Sequence, residues 1–152
     1  MLNVFIVGLG GIIGAISRYL IEDLVKYISG SVIFPYGTLT VNLLGCLIIG
    51  ILFALIDSSS LFGIKARLFL ITGILGALTT FSSFGWDTFT LLHHNYHFWA
   101  VFNILVEVVF GFLAVWLGYM IVKIISSRKK KAFADKEDSS SVLNEDKSAG
   151  AK

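Results

Sequence analysis

Charge is what this sequence has least of, and the little it has is unevenly placed. Charged residues make up 14% of the 152 and hydrophobic residues 56%, and the mean hydropathy is +0.84. A soluble domain needs roughly a quarter of its residues charged to cover its surface, which excludes a soluble body here. Proline occurs once, as Pro35, so the apolar runs are rarely broken by it. Cysteine also occurs once, as Cys46 inside an apolar run. That rules out a disulfide framework or a CxxC metal site and leaves a small buried residue. No nucleotide-binding loop, metal-ligand cluster or nucleophile–base pair is visible, so nothing points to an enzyme or a pump. His93 and His97 stand i,i+4, but no carboxylate accompanies them in the HExxH manner.

What is present is an apolar body with a polar tail. From Ser126 to Lys152 the chain holds Arg128, Lys129, Lys130, Lys131, Lys136, Lys147 and Lys152 against five acids. A net charge of +2 with its basic cluster just after an apolar run argues for a membrane surface and against nucleic acid. We expect residues 1–125 to form the membrane domain and 126–152 a disordered, charged cytoplasmic tail. Four apolar runs stand out: Val4–Ile21, Leu39–Ile56, Leu68–Phe84 and Phe98–Ile125. Eighteen helical residues reach about 27 Å, close to the roughly 30 Å hydrocarbon core. The first run has no Lys or Arg before it, so it reads as a retained helix and not as a cleaved signal. Turn signals separate the others: Ser29-Gly30-Ser31 and Pro35-Tyr36-Gly37, then Asp57-Ser58-Ser59-Ser60, then the stretch from Gly85 to His97. Lys65, Arg67, Lys123 and Arg128 to Lys131 fall on one side, and Arg18 and Lys26 on the other. The positive-inside rule then puts both termini in the cytoplasm.

The third run is the odd one. It carries Gly73 and Gly76 and then Thr79, Thr80, Ser82 and Ser83. Glycine weakens a helix and hydroxyl side chains compete for its backbone bonds. A broken helix at membrane depth is tolerated only where it is buried in protein or lines a cavity. The pattern leaves a continuous helix, with hydroxyls bonded back to the preceding turn, equally open.

Small and polar residues share stripes at 100° per residue. In the first helix these are Gly8, Gly11, Ala15, Arg18 and Glu22; in the second, Thr38, Asn42 and Gly45; in the fourth, Asn103, Glu107, Gly111, Ala114 and Gly118. Such stripes mark protein-facing sides of membrane helices. Glu107 costs a few kcal/mol near the bilayer centre, so it is either functional or held by a structural hydrogen bond. Asn42 fits a pore or an interhelical clamp. Arg18 fits an anion vestibule or a snorkelling end. Phe81 and Phe84, spaced i,i+3, are ordinary packing or two rings offering electropositive edges to a dehydrated anion. With Thr38, Ser83 and Asn42 they supply C–H, O–H and N–H donors of the kind that replace a small ion's water.

At these residues the sequence resembles the Fluc (CrcB) fluoride channels. The matching strings are GGIIGAISRY (Gly10–Tyr19), FPYGTLTVNLLG (Phe34–Gly45) and GILGALTTFSSF (Gly73–Phe84), with GFLAVWLG (Gly111–Gly118) as a weaker fourth. The resemblance implies an all-α integral membrane protein of four transmembrane helices with a broken third helix. It further implies an antiparallel dimer with two pores for passive, fluoride-specific efflux across a bacterial plasma membrane. By motif, the pore residues are Asn42, Phe81, Phe84 and Ser83. A structural sodium ion, not transported, is implied at the backbone carbonyls of Gly76 and Thr79. Where the family commonly places a tyrosine and then a serine on the fourth helix, Asn103 and Glu107 align. A carboxylate beside an anion path repels fluoride unless it is protonated or turned away.

The partner implied is a second copy or an oppositely oriented homologue. The Lys/Arg bias favours the homologue, because a chain inserting both ways carries near-balanced charge. Two other readings stand beside the channel: a small antiparallel multidrug-type exporter using Glu107, and a non-conducting partner subunit of a channel heterodimer.

Overall fold

The computed structural model describes the backbone of residues 1–58 and 63–149, and the side chains of 1–57 and 63–128. Ser59 and Ser60 of the second turn signal therefore lie outside the described residues, as do the side chains of Lys129, Lys130, Lys131, Lys136 and Lys147 and all of Lys152. The elements are all helical: α1 (Leu2–Ser29), α2 (Tyr36–Ser58), α3 (residues 64–78), α4 (Phe81–His93) and α5 (His97–Ala149). Four helical segments among the described residues are long and apolar enough to span a bilayer: Leu2–Ser29, Tyr36–Asp57, Ile64–His93 and His97–Arg128. Aromatic and aliphatic side chains cover most of their outer surface, including Phe5, Ile12, Phe53, Phe112 and Trp116, all exposed. Such a surface is stable against lipid or protein and not against water.

Local chemistry sets the ends of the helices. Gly30 closes α1 in the left-handed region at φ 57, donating its N–H to Lys26 O, a backbone state in which glycine carries no Cβ penalty. Pro35 stands just before α2, and its carbonyl accepts from Leu39 N. Asn95 takes a positive φ of 63, and Tyr96 N reaches back to Leu91 O at 2.8 Å. Asn tolerates that conformation, so α4 and α5 form a tight helical hairpin.

One expectation about extent changes. The third span runs past Phe84 to His93, so residues 85–93, expected as connection, are helix. Gly85 is their lone helix-weakening residue, and Thr88 and Leu91 bury one face of α4. α5 continues in helical geometry to Ala149. Between Gly118 and Gly150 no glycine or proline interrupts it.

The expected break is present. α3 begins as one α-turn, Ile64–Arg67, widens into a π-helical stretch, Leu68–Leu75, and ends in Gly76–Leu78. Thr79 (φ −85, ψ 150) and Thr80 (φ −150, ψ 117) are then extended before α4 starts.

Helix contacts run through glycine. α2 packs along α5, and α1 packs along α3. A Cβ on Gly118 would collide with Leu47 O, and one on Gly50 with Val115 O. On α1 the packed stripe is Gly10 and Gly14, against Phe69, Gly73 and Ile74, while Gly8 and Gly11 have nothing within 4 Å. In the stripe expected at Gly8, Gly11, Ala15, Arg18 and Glu22, the glycine contacts are thus displaced to Gly10 and Gly14. α1 carries glycines on more than one side, and helical pitch alone does not say which side meets protein.

Gly118→Leu tests the α2–α5 seam. Overpacking of this kind costs about 1–3 kcal/mol, so thermal unfolding in detergent should come several degrees earlier. An unchanged melting temperature would remove the seam from the account.

Candidate functional site

The break in the third span leaves backbone polar groups without helical partners at membrane depth, and Asn42 meets two of them. Its Oδ1 accepts from Thr80 N at 2.8 Å, and its Nδ2 donates to Thr80 O at 3.3 Å. One side-chain amide therefore pairs with both faces of a single peptide residue, much as a neighbouring strand would. Nδ2 also donates to the two Glu107 carboxyl oxygens at 3.2 and 3.3 Å. Residues on α2, the break and α5 are thereby joined at one point.

Thr80 also starts the next helix. Its Oγ1 accepts from Ser83 N at 3.2 Å and lies 3.0 Å from Ser82 Oγ and 3.4 Å from Ser83 Oγ. This is an N-cap with a hydroxyl cluster around it. One turn on, Phe81 and Phe84 sit with ring centroids 5.5 Å apart and planes at 50°. Phe81 is 84% exposed. A groove of about 440 Å³ runs beneath these rings, lined by Asn42, Gly76, Thr79, Thr80 and Glu107 among others. Its walls carry side-chain N–H and aromatic edges close together in an otherwise apolar setting.

Two further polar pairs, and the unpaired Arg18 and Glu22 atoms, lie outside that groove. Thr38 Oγ1 donates to Asp87 Oδ2 at 2.6 Å, and both residues border a second cavity of about 370 Å³ with Glu22 and Lys26. Asn103, only 1% exposed, donates to Thr88 Oγ1 at 2.9 Å, and Thr88 donates on to Phe84 O at 2.8 Å. Asn103 Oδ1 has no hydrogen-bond partner among the described residues. Arg18 stands one turn before Glu22 on α1, and Arg18 Nε and Glu22 Oε1 are both buried without a hydrogen bond.

The sequence-derived residues thus divide. Asn42, Phe81, Phe84 and Glu107 come together in one groove with Gly76 and Thr79, and Ser83 stands at its rim through Thr80. Thr38 faces Asp87 instead, Asn103 is tied to α4, and Arg18 belongs with Glu22. Sequence reasoning missed Asp87, Thr88 and the capping role of Thr80. The signal for Asp87 was present, a lone acid within reach of an apolar run, but it was hidden by ending that run at Phe84. Among the described residues no three His, Cys, Asp or Glu side chains group as a metal site.

The carbonyls of Gly76 and Thr79 have lost their usual partners. Thr80 N–H, which would bond Gly76 O in a continuous helix, goes to Asn42. Ser83 N–H, which would bond Thr79 O, goes to Thr80 Oγ1. A Cβ at Gly76 would find only Ile71 O, at 3.6 Å, so space remains around that backbone.

Asn42→Ala should destabilise the fold by about 1–3 kcal/mol, because it strands Thr80 N–H and C=O in an apolar setting. Thermal unfolding in detergent reads this. A loss below about 0.5 kcal/mol would mean water serves the Thr80 peptide equally well.

Residues 5–119 match the family model described as CrcB-like protein, Camphor Resistance (CrcB). A protein of Methanococcus maripaludis named fluoride-specific ion channel FluC is 49% identical over 122 residues, covering 78% of this chain and 93% of its own. A protein of the same name from Shewanella pealeana is 46% identical, covering 80% and 97%. Another from Ruminiclostridium cellulolyticum is 43% identical, covering 84% and 97%. The family match covers α1 through most of the apolar part of α5, including the clamp, the break and the groove: this chain belongs to the CrcB-like family.

Proposed function

We propose that this chain forms a fluoride-specific channel that lets the ion leave the cell down its gradient. The observation that carries the reading is the break at Thr79 and Thr80, set beside Asn42, Phe81 and Phe84 in one apolar groove. Fluoride is small and strongly hydrated, so a pore must replace its water with close donors. Amide N–H, hydroxyl and the positive edges of two tilted rings are such donors. Larger halides fit the same donors less closely. The similar proteins named as fluoride-specific ion channels support the same ion.

Pore roles for Asn42, Phe81, Phe84 and Ser83 are part of this proposal, with Thr38 and Asp87 along the path toward the outer cavity and Arg18 as its source of positive potential. The freed carbonyls of Gly76 and Thr79 fit a structural sodium ion, since both are hard oxygen donors without backbone partners. Two carbonyls make only part of a cation's shell. The rest would come from the same break in a partner subunit, which is the antiparallel dimer implied by the family resemblance. The exposure of Phe81 supports a partner on that face. Lys65, Arg67, Lys123 and Arg128 lie at one end of the bundle and Arg18 and Lys26 nearer the other. That bias supports cytoplasmic termini and an oppositely oriented homologue as the partner. A multidrug-type exporter is less well supported, since α1 has no acid before Glu22.

A fluoride-electrode efflux assay on liposomes tests the reading, with chloride as control. Fluoride release without chloride release is expected, and equal release of both would end the proposal. Phe81→Ile should cut fluoride flux about tenfold or more, about 1.4 kcal/mol of lost stabilisation, with assembly intact by size-exclusion chromatography. Asn42→Asp should abolish flux by removing N–H donors and adding negative charge. Reporter fusions should place the C-terminus on the cytoplasmic side only; equal labelling on both sides would exclude the heterodimer.

A further inference from the structure

Asn42 has two N–H bonds, and both are in use. One goes to Thr80 O and the other to the paired Glu107 oxygens, which lie at 3.2 and 3.3 Å from the same nitrogen. An anion arriving in the groove therefore finds no unoccupied amide donor. It must displace one of the two acceptors. Thr80 O is fixed, because the same amide also accepts from Thr80 N–H at 2.8 Å and the two bonds hold one another in register. Glu107 is attached through a flexible side chain, so it is the acceptor that can leave.

We propose that Glu107 is a tethered competitor for the anion: its carboxyl group occupies the donor position on Asn42 that a permeating fluoride would take, and so limits flux through this subunit's groove. This rests on the fluoride reading above and deepens it by assigning a conduction-limiting residue on α5. Two features agree with it. Glu107 borders the same groove as Phe81 and Phe84, so its carboxyl group stands within the ion's surroundings and not behind them. The contact is a single donor shared between two acceptor oxygens, with no second side-chain donor to either among the described residues. A structural carboxyl group buried for stability would be held by several donors; this one has a single donor.

The test replaces the carboxyl group and reads fluoride efflux from liposomes. In Glu107→Ser the competitor is withdrawn and Asn42 keeps one free N–H; in Glu107→Gln an amide oxygen of the same reach still accepts from Asn42, but more weakly than a carboxylate, and the negative charge cannot form. Both should raise fluoride flux, Glu107→Ser by about tenfold, about 1.4 kcal/mol, and chloride should stay excluded. The Asn42→Ala/Glu107→Ser double variant should lose that gain, because the donor exposed in the single variant is gone. Flux in both single variants equal to or below that of the parent chain would overturn the inference while leaving the channel reading in place. No fluoride flux in the parent or either variant would overturn both. If neither single variant is monodisperse on size-exclusion chromatography, Glu107 is a folding residue and the inference fails.

Discussion

In hydrocarbon, backbone amide and carbonyl groups have no water to turn to, and an interrupted helix exposes several of them at once. The third span of this protein interrupts itself at Thr79 and Thr80, and Asn42 makes that tolerable. Because Asn is both donor and acceptor, one residue can serve the N–H and the C=O of Thr80 together. A threonine or serine at that position could not span both groups, and an aspartate would offer only acceptors. The break and the asparagine are therefore one feature distributed over two helices.

The remaining polar contacts extend from that point. Thr80, held by Asn42, turns its hydroxyl to cap α4, which sets where Phe81 and Phe84 project. Further along α4, Thr88 is gripped by Asn103 of α5 and Asp87 by Thr38 of α2. Each pair joins α4 to a different neighbour. α4 contributes little glycine packing, whereas α1 and α5 press closely on α3 and α2 through Gly14 and Gly118. The protein thus uses close backbone approach to hold its frame and hydrogen bonds to position the short helix that carries the two phenylalanines.

Much of this was legible because membrane helices announce themselves by length and apolarity. Four spans, the suspect third one and the roles of Asn42 and Glu107 as costly polar residues all follow from that scarcity of charge. Other features were hidden for identifiable reasons. The stripe on α1 was placed at Gly8 and Gly11 because helical pitch gives the angle between residues and not the direction of the neighbour. The extent of α4 was hidden because Trp86, Asp87 and Thr88 lower the hydropathy just where the helix continues. That misplaced Asp87 outside the membrane and so concealed its bond to Thr38. α5 continues in helical geometry to Ala149 through polar, serine-rich sequence in which no glycine or proline breaks the helix.

The arrangement also bears on the dimer proposed above. Carbonyls at Gly76 and Thr79 have lost their amides to side chains, and Phe81 stands 84% exposed beside them. Lipid can cover a phenyl ring, but it cannot satisfy a carbonyl. A second subunit brought against this face would place its own break opposite the first, so that a cation between them answers both. Positive charge fixed there would in turn attract an anion to the adjacent rings, whose exposed edges are themselves weakly positive. With the proposed cation and partner in place, the cost of breaking a helix inside a membrane would become the source of the field that draws a small anion through it.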